Sequence, residues 1–252
     1  MAAPSTWRLL RTPPGSGPWN MAVDVALGRC LGPDEGVLRL YSWSHPTLSL
    51  GRNQSAVQRY RTFAAAELSG RVVRRPTGGG EVLHDRELTY SVVLPSRALG
   101  GPRATYKTLH SALLEAILSL GIRAQLAQPE GASPKPDDGI CFGRPVMDEI
   151  EASGRKVVGS AQARISGALL QHGSVLPESP TGKLATLAAG GTSLAQIACK
   201  TVSFRTIARA VEQAMRRSLP GRWRLDTLRT SERRVAASLL PHYESDGWTW
   251  RR

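Results

Sequence analysis

Residues 147–177 read MDEIEASGRKVVGSAQARISGALLQHGSVLP, and this stretch decides the fold class. Ser153-Gly154 is a pair suited to a tight hairpin turn, with β-type residues on either side. A strand therefore enters the turn, a second leaves it through GRKVVGSAQ, and a third runs through LLQHGSVL. Connections this short join antiparallel neighbours, because a parallel return needs a long crossover. VLRLYSW (37–43), TLSLGR (47–52), VVRRP (72–76) and ELTYSVVLP (87–95) add further strands. Helical spacing marks residues 56–68, 105–121, FRTIARAVEQAMRRSL and SERRVAASLLPHY. The expected fold is α+β, a central mixed and largely antiparallel β-sheet flanked by helices.

The ends of the chain carry less signal. Residues 1–19, rich in Pro, Gly and Ser, read as an irregular arm. Asn20 is the expected cap of a short helix, MAVDVALGRC, which stops at Gly32-Pro33. The tail from about 220 to 252 contains Trp223, Trp248 and Trp250 but no readable motif. Residues 1–252 are expected to form a single domain.

The 252 residues contain 33 Lys+Arg against 20 Asp+Glu, a formal charge of +13. The surplus attracts anionic partners over about 8–10 Å, or else reflects a genome that writes Arg for Lys. Zinc-finger spacing, an RRM aromatic signature and an evident helix-turn-helix are all lacking, which argues against a nucleic-acid-binding protein. Neither a signal-peptide core nor an 18-residue apolar run is present, so a cytoplasmic protein without a membrane span is expected. Cys30, Cys141 and Cys199 are odd in number and lack CxxC spacing, which speaks against a disulfide framework and a zinc site.

Four segments can carry chemistry. In RRPTGGGEVLHD, Thr77 precedes Gly78, Gly79 and Gly80, with Arg74 and Arg75 before them and His84-Asp85 after. Three glycines are entropically costly. They form either a tight turn or a place where a ligand meets bare backbone. Lys156 opens an apolar strand, either as a solvated edge charge or as a site cation. Gly159, Ser160 and Ala161 leave room for a ligand chain. Gly173, Ser174 and Val175 form a second small-residue opening beside His172, a residue type more often structural. Cys141 follows a polar, proline-rich loop (128–139), whereas Cys30 and Cys199 fit the default of a buried thiol.

Together, NMAVD, LRLYSWSHPTLSLGRNQ, RRPTGGGEVLHDRELTYSVV, GRKVVGSAQ and LLQHGSVLP resemble the biotin/lipoate protein ligase and lipoyl-transferase superfamily from about residue 20 to 215. Within it the chain is most similar to LipM-type octanoyltransferases, which have a cysteine fifteen residues before the lysine of GRK-GSAQ, the spacing of Cys141 and Lys156. The run after Cys141, Phe142-Gly143-Arg144-Pro145, departs from that family's Pro-Ser-aromatic sequence.

The resemblance implies that Cys141 is an acyl-thioester nucleophile whose pKa Lys156 lowers. It also implies an acyl slot lined by Thr77 to Gly80, His84, Gly159 to Ala161 and Gly173 to Val175, with Arg75 at its mouth. The implied donor is octanoyl-acyl carrier protein. The implied acceptor is a lysine of a lipoyl-domain protein, such as glycine cleavage H protein or a 2-oxoacid dehydrogenase E2 subunit. The enzyme is expected to act as a monomer, with no cofactor, metal or ATP. Two related readings stand beside this one: an ATP-dependent lipoate ligase, and an amidotransferase between lipoyl domains.

Overall fold

A computed structural model describes residues 3–55, 58–128, 149–178, 193–198 and 202–251. Its main sheet has eight strands: β1 (Thr6–Arg11), β2 (Glu35–Tyr41), β6 (Leu88–Pro95), β7 (Gln125–Leu126), β8 (Ile150–Ala152), β9 (Arg155–Ile165), β10 (Ala168–Val175) and β11 (Arg222–Asp226). Their order is β11-β1-β2-β6-β10-β9-β8-β7. Only β1 pairs in parallel, with β2 and β11. Every other ladder in this sheet is antiparallel. A second sheet has the order β4-β3-β5, from β3 (Thr47–Leu50), β4 (Val72–Arg74) and β5 (Val82–His84).

Helices cover both faces of the main sheet. Side chains alternate along β10, so Leu169 and Val175 enter one core while Ala168 and Leu170 enter the other. The first core is closed by α3 (Pro102–Ser119) and α5 (Phe204–Ser218), through Leu109, Leu113, Ile207 and Val211. The second is closed by α1 (Gly17–Arg29) and α6 (Thr230–Glu244), through Met21, Val25, Ala236 and Leu239. A third, smaller cluster joins Leu48, Leu50 and Leu83 of the small sheet to Tyr60 of α2 (Gln58–Glu67). The short helices α4 (Leu194–Ala198) and α7 (Asp246–Thr249) complete the set.

One expectation about the ends is corrected, and the tail gains a role. Residues 6–11, expected within an irregular arm, form β1. Arg8 disguised the strand. It points inward, fully buried, and donates to Asp226 Oδ2 at 2.7 Å, to the Thr227 carbonyl at 2.8 Å and to Glu232. The tail provides those partners, and so is built into the fold. β11 lies in register beside β1, and Trp223 stacks on Trp7 with ring centroids 5.1 Å apart. Trp248 Nε1 donates to the Arg74 carbonyl at 2.8 Å.

The first helix also starts earlier than expected, capped by Ser16, whose hydroxyl accepts the Trp19 N–H. Asn20 lies inside α1, and its amide instead bridges the Gly15 and Ser42 carbonyls at 3.2 Å each.

Candidate active site

A cleft of about 380 Å³, counting space open to solvent, lies between the small sheet and the α1 side of the main sheet. Ser49, Arg75, Val82 and His84 line one wall. Gly159, Ser160, Ala161, His172, Gly173 and Ser174 line the other, with Met21, Tyr41, Trp43 and Thr89 between. Packing makes glycine obligatory at position 173. A Cβ there would lie 2.3 Å from the Gly159 carbonyl oxygen, 2.5 Å from Ser160 Oγ and 2.9 Å from the Tyr90 ring.

Seven of the residues expected at a slot therefore meet at one cavity: Arg75, His84, Gly159, Ser160, Ala161, Gly173 and Ser174. The triple-glycine segment stands beside them. Arg75 is buried and clamps that loop, with Nη2 donating to the Gly78 carbonyl at 2.8 Å and to the Gly80 carbonyl at 2.6 Å. Arg75 thus lies in the cavity wall with its guanidinium tied to the loop, where a place at the mouth was expected. Gly79 has φ +91°, a left-handed conformation that favours glycine. Its carbonyl approaches Gly51 so closely that a Cβ there would sit 1.8 Å away. Thr77 reaches the site through its hydroxyl, 2.6 Å from His172 Nε2. Val175, expected in the slot, instead packs into the α3/α5 core, because strand alternation turns it to the other face.

Lys156 is no solvated edge charge. It is 2% exposed, and Nζ donates to the equally buried Glu149 at 2.7 Å. Cys141 lies outside the described residues, and so does Cys199.

Two carboxylate–histidine pairs that sequence reasoning missed brace the cavity. On the α1 side, Asp24 Oδ2 lies 3.0 Å from His172 Nδ1 and accepts the Tyr41 hydroxyl, while Oδ1 accepts Arg39 at 2.8 Å and Ser91 at 2.9 Å. Burial alone would raise the Asp24 pKa, but His172 and Arg39 outweigh it and hold the carboxyl below its usual range. Burial pushes His172 down, against the pull of Asp24, and the charge of Arg75 adds to the depression. On the small-sheet side, Glu87 Oε1 lies 2.5 Å from His84 Nδ1 and accepts the hydroxyls of Thr89 and Ser174, each at 2.7 Å. Burial opposes ionisation of Glu87, yet His84 and the two hydroxyls bring its pKa below the ordinary value. His84 is stacked under Trp43, with centroids 3.8 Å apart and planes 9° from parallel. The only sequence signal for the first pair was the acidic residue of NMAVD; Glu87 was read simply as the start of a strand.

Among the described residues, no group of three or more His, Cys, Asp or Glu side chains could hold a metal ion. No described helix is long and apolar enough to cross a membrane.

A mixed sheet backed by helices, with a cleft between small-residue strands and the arginine that clamps a glycine loop, defines the class. The chain belongs to the lipoyl protein ligase A/B catalytic domain family, whose profile matches residues 16–217. Its relatives include the octanoyltransferase LipM of Kyrpidia tusciae, 35% identical over 98% of this chain and 99% of that protein. The octanoyltransferase LipM of Carboxydothermus hydrogenoformans is 40% identical over 71% of this chain and 68% of that protein. Among solved structures, a bipartite lipoate protein ligase of Thermoplasma acidophilum, described with its E2 lipoyl domain, superposes with a TM-score of 0.74 at 22% identity, covering 98% of this chain and 96% of that one. A lipoate-protein ligase A bound with ATP gives 0.77 at 23% identity, covering 97% and 98%. Both structures share the fold.

Proposed function

We propose that this chain takes an octanoyl group from octanoyl-acyl carrier protein onto Cys141 and passes it to a lysine of a lipoyl-domain protein, such as glycine cleavage H protein or a 2-oxoacid dehydrogenase E2 subunit. It is an octanoyltransferase of lipoate biosynthesis, an acyltransferase. The single observation that carries the reading is the cavity, whose wall at Gly159–Ala161 and Gly173 is kept free of bulky side chains. A wall of small residues suits a straight acyl chain, which gains about 0.8 kcal/mol for each CH₂ it buries. Residues 1–252 work as one catalytic domain, a monomer in the cytoplasm.

Exchange of one thioester for another is close to energy-neutral, so the first half-reaction needs no ATP. An ordinary thiol is only a few per cent thiolate at neutral pH, and a nearby cation enlarges that fraction. Lys156 is assigned that role, held in place by Glu149. The thioester on Cys141 is then open to the acceptor's neutral amine, which forms the amide and frees the thiol. The acidic surfaces of carrier and lipoyl-domain partners suit a chain of charge +13.

The test is intact-mass spectrometry after mixing with octanoyl-acyl carrier protein. The expected result is a gain of one octanoyl group, removed by hydroxylamine and absent from Cys141→Ser. If modification required free octanoate and ATP, the ligase chemistry would replace this reading.

A further inference from the structure

The transfer described above makes no chemical use of the row formed by Ser49, His84 and Glu87. Ser49 Oγ lies 2.7 Å from His84 Nε2, and His84 Nδ1 lies 2.5 Å from Glu87 Oε1. In the neutral imidazole, Nδ1 donates to the carboxylate, which can only accept, and Nε2 offers its lone pair. Arg75 Nη1 donates to Ser49 Oγ at 3.0 Å, so the serine's own proton must point elsewhere. His84 Nε2 takes it, since the rival Val82 carbonyl is 3.5 Å away. Hydroxyl to imidazole to carboxylate is the order that activates a serine nucleophile.

The surroundings favour reactivity. Ser49 and His84 both line the cavity, beside Met21, Val82 and Ala161. The Trp43 ring holds the imidazole plane. Trp43 and Glu87 also border a second, open cleft. The other row, Thr77–His172–Asp24, shares the bond order but not the placement. Thr77 does not line the cavity, and Asp24 is shared with Arg39, Tyr41 and Ser91.

We propose that Ser49, His84 and Glu87 form a second nucleophilic site that hydrolyses straight-chain acyl esters and thioesters admitted to the cavity. This rests on the reading above only in that the cavity accepts an acyl chain. Ser49 Oγ bonds to the acyl carbon as its proton passes to His84 Nε2. The bond to the leaving thiol or alcohol breaks, and that group takes the proton. Water then attacks the ester on Ser49, giving a proton to Nε2. The carboxylic acid departs and Oγ recovers its proton. Glu87 acts through His84, as a positioning residue.

The test starts from the full chain carrying Cys141→Ala, so that no thiolate at that position contributes. The probes are p-nitrophenyl octanoate and the octanoyl thioester of N-acetylcysteamine. The expected result is saturable hydrolysis that Ser49→Ala lowers by about 100-fold, the size of an acid–base and nucleophile contribution. Glu87→Gln should lower the maximal rate while leaving KM in place. An alkyl fluorophosphonate should add once, at Ser49, by peptide mapping, and this readout needs no folded serine variant. Equal hydrolysis with and without Ser49, or a fluorophosphonate adduct elsewhere, overturns the proposal. Octanoyl transfer with Cys141 intact is measured in parallel. Its failure alone would remove the transferase reading, and loss of ester hydrolysis alone would remove this one.

Discussion

Lys156 Nζ donates to Glu149 Oε1 at 2.7 Å, and both side chains are almost wholly withdrawn from solvent. Removing one member of such a pair takes the opposite charge away from a buried ion, at about 3–5 kcal/mol, whereas an apolar pair of similar volume is often neutral. Lys156→Met and Glu149→Leu should each destabilise the chain by that amount in urea unfolding. The double variant should recover most of the stability and none of the acyl transfer. Recovery of transfer in the double variant would show that the ammonium serves packing alone.

Gly173 and Gly78 separate packing from ligand approach. Gly173→Ala drives a methyl into the Gly159 carbonyl and should cost about 1–3 kcal/mol while closing the slot. At Gly78 a Cβ meets no atom within 4 Å. Gly78→Ala should therefore unfold within about 0.5 kcal/mol of the parent. Its KM for octanoyl-acyl carrier protein should nonetheless rise if the donor comes close to the bare glycine backbone. An unchanged KM would assign the triple glycine to the turn.

Stability should fall on acidification in two stages. His172 has a depressed pKa in the folded chain, so the unfolded chain takes up more protons and stability declines as pH drops below about 6.5. Asp24 and Glu87 are depressed as well, so their contribution is present above about 4.5 and is lost as pH falls further. Urea midpoints from pH 8 to 3 measure both. A midpoint constant from pH 7.5 to 5 would contradict the first stage, and His172→Gln should flatten it.

Arg8 offers a test of the tail. Arg8→Met leaves Glu232 buried without its guanidinium partner and should cost about 3–5 kcal/mol. Thermal unfolding of this variant should show one lowered transition. A separate early transition confined to the last 30 or so residues would mean the tail is an independent unit.

What the sequence revealed depended on how local the signal was. The hairpin before β9 was legible because Ser153-Gly154 suits the successive positive φ that such short turns require, and Ser166-Gly167 after β9 adopts the same conformation. The fold class followed from those turns. β1 stayed hidden because its inward Arg8 breaks the apolar alternation and finds its hydrogen-bond partners more than 200 positions later. The cavity wall at Gly159–Ala161 and Gly173 was legible as runs of small residues. Ser49 and Glu87 were not, because each gains meaning only from His84, and Ser49 is separated from it by 35 positions. Residue type and position left Lys156 open between an edge charge and a site cation, because nothing in the sequence announces that Glu149 folds over it.

The pairing of β1 with β11 also sets a clock. Thr6 lies opposite Arg222, so a ribosome must add more than 200 residues before the partner strand exists. At roughly 5–20 residues per second that delay is about 10–40 s. Throughout it, one edge of the nascent sheet stands unpaired, and Arg8 has only Glu35 within reach among its eventual carboxylates. A chaperone that shields exposed strand edges would find its target at the first strand made, and release would wait for nearly the last.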